Sequence, residues 1–143
     1  MKKIFWQCML PMVLWMIAAC KKEIEIVEKS PVQLLTGKEW ILFSMGFDDN
    51  NNGEIDNNEE LIKDCEKDNT ILFTSDGKGF FQDKGITCGG LIENNFNWEF
   101  INNNTSIEIE AAIVSILKLD EKEFIYTPKL EGVTPKLIIH YRH

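Results

Sequence analysis

The chain has 143 residues and a formal charge of −8 at pH 7, a length that suits one domain. The excess of acidic residues repels phosphate backbones and argues against nucleic-acid binding, whereas it suits a cation site. Hydrophobic residues make up 44% of the sequence, which is enough for a folded core.

The N-terminus has the features of an export signal. Two lysines precede an apolar run from Ile4 to Ile17, which is too short to cross a bilayer core of about 30 Å as a helix. Residues 1–19 are therefore predicted to be a signal peptide. The run ends in Ile17-Ala18-Ala19-Cys20, which resembles a bacterial lipobox and implies lipidation of Cys20. An ordinary signal peptide followed by an incidental cysteine is the alternative.

The residue after Cys20 bears on the destination of the chain. In enterobacterial lipoproteins, which this segment resembles, an Asp at that position retains the protein in the inner membrane. Here the residue is Lys21, so the resemblance implies an outer-membrane, lipid-anchored protein on the periplasmic or cell-surface face. We expect residues 20–33 to form the lipidated cysteine and a tether, and residues 34–143 to form one domain.

Residues 48–59 fit the calcium-loop pattern D-x-[DN]-x-[DN]-G-x5-E at every fixed position. Gly53 allows the sharp turn, and Ile55 is expected to anchor the loop on the core. No helix precedes the loop, so we expect a structural Ca²⁺ clamp rather than a complete EF-hand sensor. The alternative is an ordinary polar loop. The predicted ligands are Asp48, Asn50, Asn52, the carbonyl of Glu54, Asp56 directly or through water, and the carboxylate of Glu59.

Two cysteines remain once Cys8 and Cys20 are set aside, and an exported protein is expected to pair them. The Asp-Gly at 76–77 predicts a two-residue hairpin turn. Paired residue numbers then add up to 153, and this register places Cys65 opposite Cys88. A redox-active or metal-binding pair is the alternative, but no C-x-x-C spacing supports it.

From Lys38 onward, short alternating segments separated by turn residues predict strands. No long helical stretch is available to connect parallel strands. We therefore predict an all-β, eight-stranded antiparallel up-and-down barrel with one short helix, at residues 59–65, after the first strand. The predicted strands are 40–47, 70–75, 78–83, 96–100, 107–110, 113–119, 122–127 and 136–142.

Alternation also assigns side chains to the interior of the predicted barrel. A two-residue turn at Asp120-Glu121 pairs Leu117 with Phe124 and leaves Lys118 and Glu123 as an outer pair. The inward set is Trp40, Ile71, Phe73, Phe80, Phe96, Trp98, Phe100, Ile107, Ile109, Leu117, Leu119, Phe124, Tyr126, Leu137, Ile139 and Tyr141. Six of these are candidate ligand contacts, while plain core packing is the alternative: Phe73, Phe80, Trp98, Phe100, Tyr126 and Tyr141.

Gly37 and Trp40 open the first strand, and together with the paired cysteines and the strand of Trp98 they resemble bacterial lipocalin-like lipoproteins. The resemblance covers residues 34–143. Lipocalins proper have G-x-W, whereas this chain has one further residue between the two. The family implies a barrel that can hold an apolar ligand.

No enzyme constellation is visible in the sequence. His140 and His143 lie at the extreme C-terminus, and we expect His140 to be a solvated outer residue. We therefore predict a non-enzymatic outer-membrane lipoprotein, stabilised by Ca²⁺ and a disulfide, that binds a small apolar ligand. The rival interpretation is an envelope interaction or structural module that binds a protein or glycan through its loops.

Overall fold

A computed structural model describes residues 28–89 and 93–143. The predicted signal peptide, lipobox and lipidated Cys20 lie outside these residues. Eight strands follow one another in the chain. They are β1 (Glu39–Asp48), β2 (Thr70–Phe73), β3 (Lys78–Gln82), β4 (Glu93–Ile101), β5 (Ser106–Ile109), β6 (Ala112–Leu119), β7 (Glu123–Pro128) and β8 (Lys136–Arg142).

The strands form a closed antiparallel barrel in sequence order. Each strand pairs with the next, and β8 returns to pair with β1 from Ile41↔Arg142 to Asp48↔Lys136. Closure leaves no strand of the barrel at a free edge. The predicted fold class, an eight-stranded up-and-down barrel compatible with a lipocalin-like fold, is confirmed.

A short helix, α1 (Pro31–Leu35), precedes the barrel in a segment that was partly predicted as tether. Ser30 caps it, and the side chain of Gln33 accepts from the Ser30 N–H at 2.9 Å. Leu35 is fully buried, and its carbonyl accepts from Trp40 Nε1 at 2.8 Å. This helix therefore spans the predicted boundary at residue 34 between the tether and the domain. No helix of residues 28–89 and 93–143 is long and apolar enough to cross a membrane.

The short helix predicted after the first strand is present, but it is a single 3₁₀ turn at Asp64–Glu66 and does not extend over residues 59–65. The residues before it run along β1, where Glu60 forms a bridge with Gly46 and Leu61 donates to the Met45 carbonyl at 2.8 Å. β2 pairs only with residues 39–41, so the rest of this side of β1 needs another partner. The excursion between β1 and β2 supplies that partner, and this requirement outweighs helix formation.

The β2–β3 hairpin differs from its predicted register by one residue. Thr74 and Lys78 close a three-residue turn, in which Gly77 has a φ of +80°. Such a turn adds one residue relative to the predicted two-residue loop. Leu72 therefore pairs with Phe80, and Phe80 is 43% exposed. Its predicted inward position is wrong, because a one-residue shift moves a side chain to the opposite face.

A similar error affects the β6–β7 hairpin. Leu119 pairs with Phe124, and the register shifts between Ile116 and Lys118. Leu117 lies at this irregularity and is 48% exposed, so its predicted inward position is wrong as well. A bulge inserts one residue into one strand of a pair and reverses the alternation beyond it.

Most of the predicted interior is confirmed. On β8, the predicted inward residues Leu137 and Ile139 are half-buried, whereas Ile138 between them is buried. The register between β1 and β8 shifts between Leu42 and Ser44. Phe100, Ile109, Leu119 and Ile139 pack, partly buried, against the core. The buried predicted residues are Trp40, Ile71, Phe73, Phe96, Trp98, Ile107, Phe124, Tyr126 and Tyr141.

Candidate functional site

The loop between Asp48 and Glu59 begins at the last residue of β1. Asp48 is only 3% exposed. Its Oδ1 accepts from the backbone N–H of Asn52 at 2.9 Å, and its Oδ2 accepts from the N–H of Gly53 at 3.0 Å. Gly53 has a φ of +85°, a conformation that glycine adopts without steric cost. The predicted sharp turn is therefore present at Gly53.

Glu59 closes the other end of the loop in the same manner. It is 5% exposed, and its Oε1 and Oε2 accept from the N–H groups of Asp49 at 2.9 Å and Asp56 at 3.0 Å. The Glu59 carbonyl and Ile55 lie so close to Gly46 that a Cβ at that position would collide with both. Ile55 thus contacts β1, in the anchoring position predicted from the sequence.

Three further side chains of the pattern meet at one point. Asp56 Oδ2 accepts from Asn50 Nδ2 at 2.8 Å and from Asn52 Nδ2 at 3.3 Å. The Oδ1 atoms of Asn50 and Asn52 accept from the N–H groups of Asn52 and Glu54. An amide oxygen has two lone pairs, so both atoms keep capacity for a further partner.

The charge of the loop is not balanced by a nearby base. Within residues 28–89 and 93–143, no lysine or arginine pairs with Asp48, Asp56 or Glu59. No three His, Cys, Asp or Glu side chains of these residues are close enough together to hold a metal ion. A cation in the loop would therefore also need the amide oxygens and a peptide carbonyl. All of these donors are oxygens, which fits a hard cation such as Ca²⁺.

Cys65 and Cys88 form a disulfide with a Cα–Cα distance of 5.4 Å. The predicted pairing is confirmed, although the register that suggested it is off by one residue. Cys65 lies in the 3₁₀ turn, and Cys88 follows β3 after an exposed segment. The bond links the two chain segments that leave the open end of the β2–β3 hairpin.

The predicted ligand contacts lie in different places. Five of the six line the barrel interior or pack against it, and Phe80 lies outside. Phe73 is the centre of the interior, with rings of Phe96, Trp98 and Phe124 at centroid distances of 5.4–5.8 Å. These distances are those of direct ring packing. Aromatic side chains therefore occupy the centre of the barrel.

Two tyrosines complete this aromatic core. Tyr126 and Tyr141 are stacked, with centroids 6.2 Å apart. Burial raises the pKa of Tyr126 to about 12 and the pKa of Tyr141 well above its usual value. Both hydroxyls therefore stay protonated at neutral pH.

A groove lies on the outer face of β1 and β8 and was not anticipated from the sequence. We call it the β1–β8 groove, and its volume is about 700 Å³. Ile41 and Phe43 are each 47% exposed there, and the guanidinium of Arg142 lies 3.3 Å from the Phe43 ring centroid. Its lining comprises Ile41, Leu42, Phe43, Asn57, Glu60, Ile62, Lys67, Arg142 and His143.

The two histidines flank this groove. His140 is not a fully solvated residue, because its ring packs on Phe43 with centroids 5.0 Å apart and its Nε2 lies 3.3 Å from Glu123 Oε1. His143 Nδ1 lies 3.1 Å from the Glu39 carbonyl. The exposed Phe43 was a detectable signal, since an outward aromatic residue on a predicted strand has no core to pack against.

Comparison with known proteins does not place the chain in a family: no protein-family model matches it, and no curated protein matches it significantly.

Proposed function

We propose that this protein is a non-enzymatic, lipid-anchored module of the outer membrane that binds a protein partner through the β1–β8 groove. The observation that carries this proposal is the contrast between the two faces of the barrel wall. Rings fill the interior around Phe73, whereas Ile41 and Phe43 remain half-exposed outside. This contrast favours the interaction module over the small apolar ligand.

The chemistry of the groove favours a protein over a glycan. Its exposed surface combines Phe43 with an aliphatic flank of Ile41 and Ile62, and Arg142 stacks on the aromatic ring. Aromatic residues and arginine are the side chains enriched at protein–protein interfaces. Glu60 and Lys67 at the rim add one charge of each sign. The matching surface would offer apolar side chains to the centre and a carboxylate to Arg142.

Site-specific crosslinking in the native envelope tests this proposal. A photoreactive residue at position 41 should give a discrete protein adduct, and Phe43→Ser in the same chain should reduce its yield at least tenfold. Ile86→Ser is the matched control, because Ile86 is 74% exposed and lies outside the groove. Equal adduct yields in the Phe43→Ser and Ile86→Ser chains would reject the groove, and a carbohydrate adduct would replace the protein partner by a glycan.

We also propose that residues 48–59 bind one structural Ca²⁺. Support comes from two buried carboxylates, Asp48 and Glu59, whose partners within the described part of the chain are backbone N–H groups alone. The ion would hold the excursion against β1, with Asn50, Asn52, Asp56 and the Glu54 carbonyl as further donors. It has no part in any chemical step.

A thermal unfolding experiment on the full chain tests the clamp. Ca²⁺ at 100-fold above its Kd should stabilise the fold by about 2.7 kcal/mol relative to EGTA. Glu59→Gln should abolish the part of that shift that the loop contributes. Glu54→Gln should preserve it, because residue 54 is expected to contribute its carbonyl and not its side chain. An equal melting temperature in Ca²⁺ and EGTA would reject the clamp.

The anchor is proposed from the lipobox ending at Cys20. Cys20→Ser should release the protein from the membrane fraction and remove the mass of the acyl chains from its mature N-terminus. A wild-type protein whose N-terminus carries no lipid would reject the anchor and leave the groove proposal unaffected.

A further inference from the structure

Three buried side-chain oxygens lie close to one another in sequence and strand register, where the β2–β3 hairpin opens. Asp68 Oδ1, Asn69 Oδ1 and Asp83 Oδ1 have no hydrogen-bond partner among the described residues. Asn69 and Asp83 are each only 8% exposed. Buried polar atoms in folded proteins are nearly always paired with protein, water or an ion, so each such atom requires an explanation.

The strand register brings Asn69 and Asp83 together. Thr70 pairs with Gln82 at the last position of the β2–β3 ladder, and the next residues along the two strands are Asn69 and Asp83. Both positions have the inward parity of Ile71 on β2 and Phe81 on β3. Cβ atoms of directly opposed antiparallel residues are about 5 Å apart. The two side chains thus share the inner face at this end of the hairpin.

Asp68 reaches the same pair of chain segments from the adjoining turn. Its Oδ2 accepts from the Ile86 N–H at 3.1 Å and lies against Gly85, where a Cβ would collide with it. The disulfide between Cys65 and Cys88 holds these two segments together. The Oδ1 atom of Asp68 is left without a partner in this position.

The neighbouring lysines do not neutralise these carboxylates. Lys84 Nζ pairs with Glu39 Oε1 at 2.7 Å, and Lys67 Nζ pairs with Asp64 Oδ1 at 2.7 Å. No cationic side chain of the described residues is therefore paired with Asp68 or Asp83. A single water can donate only two hydrogen bonds, and it brings no charge. A cation satisfies three oxygens and offsets the negative charge at once.

We propose that Asp68, Asn69 and Asp83 form a cation site, distinct from the Asp48–Glu59 loop, that takes a divalent oxygen-seeking ion such as Ca²⁺. The donors are two carboxylates and one amide oxygen, a set that suits hard cations and offers no nitrogen or sulfur for zinc or copper. Water and backbone carbonyls complete the coordination. The ion links the chain before β2 to the chain after β3, next to the disulfide.

Native mass spectrometry of the full chain in detergent, with micromolar Ca²⁺ and excess K⁺, tests the site by stoichiometry. The wild-type chain should bind two ions, and Asp83→Asn should bind one. The paired loop variant Asp48→Asn/Glu59→Gln should also bind one, through the site proposed here. Glu131→Gln is the charge-matched control, because Glu131 is exposed in the loop before β8, and it should retain two.

Two outcomes separate this site from the loop clamp. A single wild-type ion that survives Asp83→Asn and is lost in the loop variant would overturn this proposal and leave the clamp in place. A single ion with the reverse behaviour would support this site and remove the clamp. Asn69→Leu should lose the same ion as Asp83→Asn, since it deletes a neutral donor; retention of that ion would show that Asn69 is not a ligand and would overturn the three-donor site.

Stability gives a second readout, which is independent of counting ions. In EGTA, Asp83→Asn should raise the melting temperature, because it removes a buried charge without a counter-ion. In saturating Ca²⁺ the same substitution should lower the melting temperature relative to wild type. A rise under both conditions would mean that a buried water, and not a cation, satisfies these oxygens, and would overturn the proposal.

Discussion

The barrel has two halves, and the wall of each half is held together in a different way. In the meander half, residues 93–142, each of β4, β5, β6, β7 and β8 pairs with its chain neighbours. In the disulfide half, residues 39–89, β1 has ten residues but β2 has four. A polar excursion therefore pairs with the remainder of β1. In the meander half paired strands make up the wall, whereas in the disulfide half carboxylates and a covalent bond also hold the excursion in place.

The largest effect should come from the core that both halves share. Phe124 is fully buried and packs on Trp40 and Phe73 at 5.8 Å, so Phe124→Ala should cost about 3–5 kcal/mol in urea unfolding. Phe80→Ala, the same substitution on the outer face, should cost less than about 1 kcal/mol. Similar costs for both would mean that Phe80 is part of the core, as the unshifted hairpin register would require.

Removal of the disulfide should weaken the disulfide half specifically. Cys65→Ser combined with Cys88→Ser should cost about 3 kcal/mol, because an open chain loses more entropy on folding than a crosslinked one. Thiol titration of the unfolded wild-type chain without reductant should find neither of these two thiols. Hydrogen exchange should accelerate first in β2 and β3; uniform acceleration across β5–β8 would contradict the division into halves.

Addition of a single methyl group at position 46 should test the contact between the excursion and β1. Gly46→Ala places a Cβ against the Glu59 carbonyl and Ile55, and overpacking of this kind costs about 1–3 kcal/mol. The N–H of Leu61, which donates to Met45, should lose its protection from hydrogen exchange. The amides of β6 and β7 serve as internal controls, and a loss of protection there of equal size would show global and not local destabilisation.

The smallest expected effect is on the pH dependence of the free energy of unfolding. Burial lowers the pKa of His140, Arg142 and Lys118 lower it further, and Glu123 opposes them. The unfolded chain, with a histidine pKa near 6.5, then binds more protons than the folded chain between the lowered pKa and about 6.5. The contribution of His140 to stability should therefore be complete above that window and decline as pH falls through it. His140→Gln should flatten this part of the stability profile; an unchanged slope would contradict the assignment.

The sequence was sufficient for the strand count, the order and most of the core, because alternation in segments such as Phe96–Phe100 is strong. The assignment of side chains to the inside of the barrel failed where one inserted residue moves the following side chains to the opposite face of the sheet. The β2–β3 loop, which contains Gly77, has three residues and not the predicted two. An irregularity at Leu117 shifts the register of β6 against β7. Phe80 and Leu117 were both assigned to the wrong side for this reason. Local spacing cannot reveal such shifts, since they depend on pairing across strands.

The candidate sites also differ in whether they can be recognised from the sequence. The Asp48–Glu59 loop is visible in sequence because its donors follow a fixed local spacing. The β1–β8 groove and the oxygens of Asn69 and Asp83 come from distant segments that only the closed barrel brings together. The buried state of Asp83 is likewise set by its inward position on the hairpin, which the predicted register had placed on the other face of the sheet.

The direction of β1 has a consequence for the ions that reach the loop. β1 starts next to α1, at the end where the N-terminal segment enters, and finishes at Asp48. Ten residues of about 3.3 Å, tilted by about 40° in an eight-stranded barrel, extend about 25 Å along its axis. The screening length at physiological salt is about 8 Å. If the proposed anchor at Cys20 held the barrel with its axis upright, the loop would lie about three screening lengths above the headgroups, and it would equilibrate with the bulk solution and not with the counter-ion layer of the membrane.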